Sequence, residues 1–251
     1  MNGLIEKLYY KLQGLRWIIT PFIFGQHAAV VEFLVRRYGR HSLKILDLGA
    51  RRSPYTRSLR RSLIIGLDLP AQDEAILGFS RSSLEKFARD NHLPVFGSGE
   101  HLPFQSASFD LVLMIEVIEH IERDGAALQE VEAILKPGGV LVLSTPNGDT
   151  FPIPSKHHLR HYSTEKLKEF IANHFEIDHF WALFPKGRLW EESVRSVRTM
   201  INDKNIIGIL RHILGVWIYW FYTVSWVLSQ KTVGTTTLFV VARKKKREIK
   251  G

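Results

Sequence analysis

Two acidic residues stand where apolar segments end, and together they could hold a cofactor that contains a ribose. Asp47 follows the apolar segment 43–46, and Asp68 ends the second predicted strand, in "IIGLDL", 21 residues further along the chain. An acid at the end of the second strand of a parallel α/β sheet can accept hydrogen bonds from two ribose hydroxyls. Gly49 lies close to the first acid and leaves the backbone unhindered. The spacing therefore predicts a site for a nucleotide-like cofactor.

The elements that would position these acids alternate along the chain. Apolar segments predict strands near 43–47, 63–68, 94–96, 109–115, 140–144, 176–184 and in "TTTLFVVARK". Helical patterns cover residues near 54–61, 82–90, 123–135 and 164–173, and Ser163 is expected to cap the last helix. Near-continuous apolar strands that alternate with helices indicate a parallel sheet covered on both faces.

Outside this alternation, the chain predicts helical additions and a basic tail. We divide it into an N-terminal amphipathic helical arm (1–40), a core (41–184), a hydrophobic helical insertion (185–232), and a last strand with a polybasic tail (233–251). The tail "RKKKREIKG" has six bases and one acid, and residues 50–61 add five arginines without an acid. Such clusters favour an anionic partner, for example a phosphate-bearing substrate, an anionic membrane surface or nucleic acid.

The insertion contains an apolar segment, 206–228, whose 23 residues are long enough to span a bilayer. A single crossing would separate the last strand from its sheet, so we expect an interfacial or re-entrant helix. A helix that packs over the core or at a dimer interface is the alternative. The N-terminus has no secretory pattern, and without cysteine the chain can form neither disulfides nor thiolate sites. We expect a cytoplasmic location with peripheral attachment to the inner face of the membrane.

Residues 97–147 carry the most specific motifs. "LPF" and "SFDLV" lead into the fourth strand, "EVIEH" follows it, "LKPGG" precedes the fifth strand and "STPN" closes it. In this order they resemble the class I S-adenosylmethionine-dependent methyltransferases, particularly those related to quinone biosynthesis. "HHLRHYSTEKLKEFI" is similar to the segment that follows the fifth strand in many of these enzymes. The resemblance implies a Rossmann-like, doubly wound, mostly parallel α/β sheet of seven strands with an antiparallel last strand.

The resemblance also implies which residues bind S-adenosylmethionine. Asp47, Gly49 and Ala50 would hold the methionine end of the cofactor, and Asp68 would bind its ribose. The residues expected around the adenine and beneath it are Gly97, Ser98, Gly99, Glu100, Ile115 and Glu116. The loop after the first strand has side chains where this family often has glycines, and its "SPY" is similar to a variant that the family contains.

A hydroxyl acceptor would benefit from a base, and histidine titrates near neutral pH. His120 and His161 are our catalytic candidates, chosen from a group that includes His157 and His158. Any of these histidines could instead have only a structural role in its loop.

A metal site is an alternative use of the same stretch. Glu116, Glu119 and His120, with a later histidine, could supply oxygen and nitrogen ligands for magnesium or manganese. Similar residues bind a divalent ion in some methyltransferases of ubiquinone synthesis and of small-RNA ends. The same letters occur in relatives without a metal, so we assign no metal ligand from the sequence.

These observations predict S-adenosylmethionine-dependent methylation, on oxygen, of a small-molecule, lipid-linked or glycan acceptor at the membrane surface. Arg51, Arg52 and Arg57 would suit a phosphate on such an acceptor. An RNA methyltransferase is one alternative, but it would need a basic face with exposed aromatic residues, and we do not expect nucleic acid as a partner. A non-catalytic scaffold with the same fold is the other alternative, which the replaced loop glycines favour. The sequence identifies neither the acceptor nor the oligomeric state.

Overall fold

The computed structural model describes residues 21–51, 53, 55–72, 78–88, 90–154, 156–185, 214, 217, 221 and 235–245. The chain divides into two compact units. The larger comprises Phe33–Ala182 with Thr237–Gly251, and the smaller comprises Met1–Glu32 with Leu183–Thr236. All site residues considered below belong to the larger unit. The division into four segments made from the sequence stays a prediction.

Seven strands form one sheet. In chain order they are β1 (Lys44–Leu48), β2 (Leu63–Asp68), β3 (His92–Phe96), β4 (Phe109–Ile115), β5 (Leu135–Pro146), β6 (Phe175–Pro185) and β7 (Thr235–Lys244). Their order across the sheet is β3, β2, β1, β4, β5, β7, β6. The pairs from β3 to β5 are parallel, whereas β7 runs antiparallel to β5. The predicted mostly parallel, Rossmann-like sheet with an antiparallel last strand is confirmed.

The strands that carry the site are buried on both faces. The side chains of Ile45 and Leu46 on β1 are fully inaccessible, as are those of Leu111 through Met114 on β4. This burial explains why both strands read as continuous apolar runs rather than as alternating patterns. The strand order reverses beside β1, which pairs with β2 on one side and β4 on the other. The carboxyl ends of β1 and β4 therefore flank the position where ligands bind in sheets of this kind.

Four described α-helices accompany the sheet: α1 (Pro21–Tyr38), α2 (Arg81–Phe87), α3 (Asp124–Ile134) and α4 (Thr164–Ala172). Ser163 caps α4, and its hydroxyl accepts the backbone N–H of Lys166 at 3.3 Å. Ser80 and Ser83 form a reciprocal capping box at the start of α2. Both caps satisfy backbone donors that the first helical turn leaves unpaired.

The prediction of a helix near 54–61 is wrong, because residues 55–62 form turns and bends. Their hydroxyl groups bond within the loop and to the strand before it. Thr56 Oγ1 donates to Asp47 Oδ2 at 3.3 Å, and Ser53 Oγ accepts the backbone N–H of Tyr55. Serine and threonine side chains that make such local bonds offer the backbone an alternative to the helix.

Two predicted elements fall largely outside the described residues. These are the part of the amphipathic arm before residue 21 and most of the apolar segment 206–228. Within that segment, Leu214, Trp217 and Phe221 are described, and each is helical and exposed. None of the described helices has the length and apolar character needed to cross a bilayer.

Candidate active site

A cavity of about 250 Å³ opens at the carboxyl ends of β1, β2 and β4. Its described lining residues are Leu48, Gly49, Arg51, Leu67, Asp68, Leu69, Gly78, Gly97, Gly99, Glu116, Val117, His120 and Ile121. Six of the residues predicted for the site are in this group: Gly49, Asp68, Gly97, Gly99, Glu116 and His120. The cavity therefore brings together residues from four separate parts of the chain at the reversal of strand order.

Gly49 forms the turn that follows β1. Its φ of +75° lies in the left-handed region, and a Cβ there would meet Val117 Cγ2 at 2.5 Å. The backbone N–H of Gly49 donates to the carbonyl oxygen of Leu67 at 2.8 Å. Both the backbone conformation and the close contact require glycine. Ala50 is fully buried next to it and does not line the cavity.

Asp68 lies on the cavity wall with its carboxylate held by the backbone. Its Oδ2 accepts the N–H of Arg51 at 3.1 Å, and its Oδ1 accepts the N–H of Leu69 at 2.8 Å. Burial raises the pKa of Asp68, and these two hydrogen bonds oppose the rise. Each carboxylate oxygen has a second lone pair. The side chain can therefore accept further hydrogen bonds from a ligand in the cavity.

Asp47 differs from Asp68, because it is 2% exposed and is not one of the described lining residues. It accepts hydrogen bonds from Ser53 and from Thr56, whose hydroxyl also lies 3.3 Å from His92 Nε2. Burial raises the pKa of Asp47 to about 7. Asp47 thus lies behind the cavity wall and stabilises the loop that bears Gly49 and Arg51.

The loop after β3 presents bare backbone to the cavity at Gly97 and Gly99. A Cβ on Gly99 would lie 3.0 Å from Ile121 Cδ1, so a side chain here would crowd the wall. The neighbouring polar residues shape the loop. Ser98 Oγ accepts the N–H of Glu100, and the Glu100 carboxylate accepts the Arg123 N–H at 3.0 Å and its Nε–H at 2.8 Å. Ser98 and Glu100 therefore contribute to the site through the shape of the loop.

Glu116 follows β4 in a backbone conformation that is rare for its type. Its φ is +56°, in the left-handed region, which costs a residue with a side chain on the order of 1–3 kcal/mol. The strain is offset by two bonds to Ser144, whose carbonyl accepts the Glu116 N–H and whose hydroxyl donates to Oε1 at 2.8 Å. Ile115 is buried and pairs with Ser144 across the sheet. The turn directs Glu116 into the cavity.

A cluster of Glu119, His120 and His158 adjoins the cavity at His120. One carboxylate oxygen and one ring nitrogen from each histidine lie within 4.8 Å of one another. Glu119 is fully buried. Its Oε2 accepts the Thr145 hydroxyl at 3.0 Å, and its Oε1 has no hydrogen-bond partner among the described residues. Burial and the nearby negative charge of Glu116 raise the pKa of Glu119 well above its ordinary value.

The segment 151–162 carries His158 and His161 and is fastened to the turn after β4. Leu159 N–H donates to the Glu119 carbonyl at 2.8 Å, and the Arg160 guanidinium donates to the carbonyls of Ile121 and Glu122. Tyr162 donates its hydroxyl proton to Asp124 at 2.6 Å. His161 does not line the cavity, although the sequence suggested it as a base. Its two ring nitrogens lie 2.6 Å from the Phe151 carbonyl oxygen and from His158 Nδ1.

Sequence reasoning missed some residues of the site. Val117 and Ile121, which the sequence did not single out, line the cavity, and His158 rather than His161 joins Glu119 and His120. Arg51, expected from the sequence only as a partner for an acceptor phosphate, also lines the cavity. The letters "HHLRH" indicated that a histidine lies near the rim of the pocket, but they did not identify which histidine it is. Glu119 and His158 meet only because of tertiary contacts between the segment 151–162 and the turn after β4.

Comparison with known proteins agrees with the fold. Residues 46–143 match a family model described as a methyltransferase domain. A protein of Mycolicibacterium smegmatis, described as a probable S-adenosylmethionine-dependent methyltransferase, is 30% identical over 55% of this chain and 53% of its own length. A ubiquinone biosynthesis O-methyltransferase of Psychrobacter cryohalolentis is 34% identical over 41% of each chain. The chain thus spans about half or less of the length of these relatives.

The YcgJ protein of Bacillus subtilis has a similar fold, with a TM-score of 0.56 over 88% of this chain and 100% of that one, at 16% identity. The sheet order, the cavity beside β1 and the family match over residues 46–143 lead to the same assignment. Residues 46–143 therefore carry a methyltransferase domain, and the relatives and the fold support its assignment to the class I S-adenosylmethionine-dependent methyltransferases.

Proposed function

We propose that this protein transfers a methyl group from S-adenosylmethionine to a hydroxyl oxygen of a small-molecule, lipid-linked or glycan acceptor at a membrane surface. The observation that carries the proposal is that the predicted cofactor residues and a member of the histidine cluster line one cavity. Gly49, Asp68, Gly97 and Gly99 line the same cavity as His120, which belongs to the cluster with Glu119 and His158. A place for the cofactor therefore adjoins a place for an acceptor.

When bound, S-adenosylmethionine supplies a methyl group that its positively charged sulfur has already activated. The residues of this chain then have to bind the cofactor and the acceptor, align the two and exclude water. Asp68 would accept the ribose hydroxyls, and the bare backbone at Gly97 and Gly99 would pack against the adenine. Asp47 and Ala50 would support the turn at Gly49 from behind. Ser98, Glu100 and Ile115 would fix the walls on either side.

His120 is the residue we propose as the general base. Its Nδ1 lies 2.7 Å from the carbonyl oxygen of His157, which can only accept, so Nδ1 carries the proton. The other ring nitrogen, Nε2, then has a free lone pair that can take the proton of a hydroxyl in the cavity.

A divalent cation is a second candidate for the same place. Glu119, whose buried Oε1 has no hydrogen-bond partner among the described residues, lies beside two imidazoles, and this donor set suits manganese or magnesium. Such a cation would lower the pKa of an acceptor hydroxyl, and His120 would then be a ligand instead of the base. His158 would be the later histidine that the sequence left unidentified. Saturable Mn²⁺ uptake by the chelator-treated protein, lost in His158→Ala, tests this candidate.

The acceptor class is supported by residues and by relatives. The relative from Psychrobacter cryohalolentis is named for O-methylation in ubiquinone biosynthesis, and another from Lactococcus lactis is a demethylmenaquinone methyltransferase. Both names favour an aromatic or isoprenoid acceptor. Arg51 on the cavity wall would suit a phosphate or a phenolate.

Attachment to the inner face of a membrane is supported by the sequence of the tail and the apolar segment. Leu214, Trp217 and Phe221 are 60%, 72% and 78% exposed at helical spacing. Large apolar side chains on one helical face, together with a polybasic segment, are the two signals that peripheral attachment needs. The RNA methyltransferase and the non-catalytic scaffold stay as the alternatives.

Calorimetric titration with S-adenosylmethionine tests the proposed cofactor site. Asp68→Asn removes the charge that would bind the ribose, so its Kd should rise roughly 10- to 100-fold above the wild-type value. Asp90→Asn is the control, because Asp90 is exposed at the opposite end of the sheet, beside Asn91 and Lys44. Folded wild-type protein that binds no cofactor would favour the scaffold. Equal affinity of Asp68→Asn and wild type would remove Asp68 from the site.

A further inference from the structure

A hydrogen-bonded chain connects the backbone of the segment 151–162 to the cluster of Glu119, His120 and His158. The His161 Nδ1 lies 2.6 Å from the carbonyl oxygen of Phe151. The His161 Nε2 lies 2.6 Å from His158 Nδ1. His158 thus belongs to the cluster, whereas His161 contacts the cluster through His158.

The direction of each hydrogen bond follows from the chemistry of its atoms. A carbonyl oxygen can only accept, so His161 Nδ1 must carry a proton. In a neutral imidazole the other nitrogen, Nε2, is then an acceptor. His158 must consequently donate from Nδ1, which leaves its Nε2 with a lone pair and no proton. A single carbonyl therefore sets the tautomer of two successive histidines.

The other histidine of the cluster has the same arrangement. His120 Nδ1 donates to the His157 carbonyl at 2.7 Å, so its free lone pair is also on Nε2. Both imidazoles thus present Nε2 lone pairs, and Glu119 presents Oε1, which has no hydrogen-bond partner among the described residues. One nitrogen of each imidazole and one carboxylate oxygen of Glu119 lie within 4.8 Å of one another, and a cation bound there would displace the proton that burial favours on Glu119.

The backbone around His161 is held on both sides. Arg160 donates to the carbonyls of Ile121 and Glu122, and Tyr162 donates to Asp124. His161 cannot rotate away from His158 without loss of its bond to Phe151. The adjoining anchors fix the position of its backbone.

We propose that His161 is a positioning residue, which fixes the Nδ1–H tautomer of His158 and thereby directs His158 Nε2 toward a divalent cation at Glu119, His120 and His158. This inference rests on the proposed cation site. It assigns His161 a role different from the general base that the sequence suggested, and it leaves His120 as the histidine that faces the cavity.

The test compares replacements that keep or remove the acceptor at His161. In His161→Gln the amide oxygen can replace Nε2 and accept from His158, whereas His161→Phe keeps the ring shape without any acceptor. His157→Phe is the matched control, because that side chain is exposed on the same segment and its backbone carbonyl remains. If His161→Phe does not fold, His161→Asn provides a shorter side chain that cannot reach His158.

Two measurements on the full chain distinguish the outcomes. Nitrogen-15 NMR of the chelator-treated protein reports the His158 tautomer, and electron paramagnetic resonance reports Mn²⁺ affinity. We expect Nδ1–H in wild type, His161→Gln and His157→Phe, and a shift toward Nε2–H in His161→Phe or His161→Asn. Mn²⁺ affinity should fall roughly 10- to 100-fold in the variants without an acceptor and recover in His161→Gln.

An unchanged His158 tautomer in His161→Phe or His161→Asn would overturn the positioning role. So would a loss of kcat in both His161→Gln and His161→Phe with unchanged Mn²⁺ affinity, because that result would make His161 a base. If wild-type protein takes up no Mn²⁺, the cation site fails. The tautomer measurement then still decides whether His161 positions His158.

Discussion

At the scale of single residues, the two acids that define the cofactor hypothesis from the sequence have different surroundings. Asp68 lines the cavity, and Asp47 is buried with its carboxylate bonded to Ser53 and Thr56. The spacing of 21 residues correctly placed both at the ends of adjacent strands. It could not distinguish a wall residue from one behind the wall, because that depends on the turn at Gly49.

The burial of Asp47 has a consequence for the pH dependence of stability. Its pKa is about 7 in the folded protein, above the value of 3.8 expected for an exposed aspartate. The folded state therefore retains a proton on Asp47 that the unfolded state releases. The contribution of this proton to the free energy of unfolding is complete below pH 3.8 and is lost as the pH rises through about 7. Asp47→Asn cannot ionise. Relative to wild type, the free energy of unfolding of this variant should therefore rise by up to about 1.4 kcal/mol per pH unit between pH 5 and 7.

Urea unfolding of both proteins at pH 5, 6, 7 and 8 measures this difference. Parallel stability profiles over that range would show that Asp47 is already ionised in the folded protein at pH 5.

Gly49 gives a second prediction at the residue scale. Gly49→Ala places a Cβ 2.5 Å from Val117 Cγ2 in a left-handed backbone conformation. Gly138→Ala is the matched control, because Gly138 has the same φ of +75° with open space around its Cβ position. The control should lose about 1–2 kcal/mol of unfolding free energy from the backbone alone. Gly49→Ala should lose about 1–3 kcal/mol more from the steric contact, and Val117→Ala should restore part of it.

Equal losses in the two alanine variants would mean that Val117 moves aside at little cost. Denaturant unfolding measures the free energy of unfolding of wild type, Gly49→Ala, Gly138→Ala and the double variant Gly49→Ala/Val117→Ala.

At the scale of elements, the segment 151–162 positions the histidines. Arg160 donates to the carbonyls of Ile121 and Glu122 and pairs with Asp124 at 3.2 Å. Arg160→Ala should increase amide hydrogen exchange across this segment by roughly tenfold, because it removes hydrogen bonds to a charged group. Lys156→Ala is the control, since Lys156 is exposed on the same segment. Equal exchange in Arg160→Ala and wild type would show that Tyr162 and Leu159 hold the segment without it.

The elements also show what could and could not be predicted. Strands β2 and β4 have the bounds expected from the sequence, because buried parallel strands are continuous apolar runs. The sequence predicts a helix near 54–61 where the structure has a loop, because hydrophobic periodicity does not report side-chain hydrogen bonds such as the one from Thr56 to Asp47. The contact between Glu119 and His158 was equally inaccessible. It depends on the Arg160 and Tyr162 anchors, and these form only in the folded protein.

At the scale of the whole molecule, the charge of +9 and the apolar segment predict behaviour at a membrane. Vesicles of phosphatidylcholine with phosphatidylglycerol should bind the protein, and neutral phosphatidylcholine vesicles should bind it much more weakly. Replacing both Trp217 and Phe221 with serine should reduce sedimentation with the acidic vesicles by roughly tenfold, because two large apolar side chains are lost. Leu93→Ser controls for the loss of an exposed apolar side chain on β3.

Equal sedimentation of wild type and the double variant would remove this helical face from the membrane hypothesis. Equal binding to acidic and neutral vesicles would remove the basic clusters from it.

The position of β7 has a consequence for how the protein is made. This strand is the last of the seven described strands along the sequence, yet it pairs between β5 and β6. Residues 44–146 emerge from the ribosome well before residues 235–244, so strands β1 to β5 can associate during synthesis. During this time β6 has no partner in the sheet. Until β7 emerges, both β5 and β6 expose unpaired backbone groups, the kind of edge that attracts other chains. We therefore expect the nascent protein to expose these two sheet edges until residues 235–244 have emerged, because the ten-residue β7 then pairs with both strands.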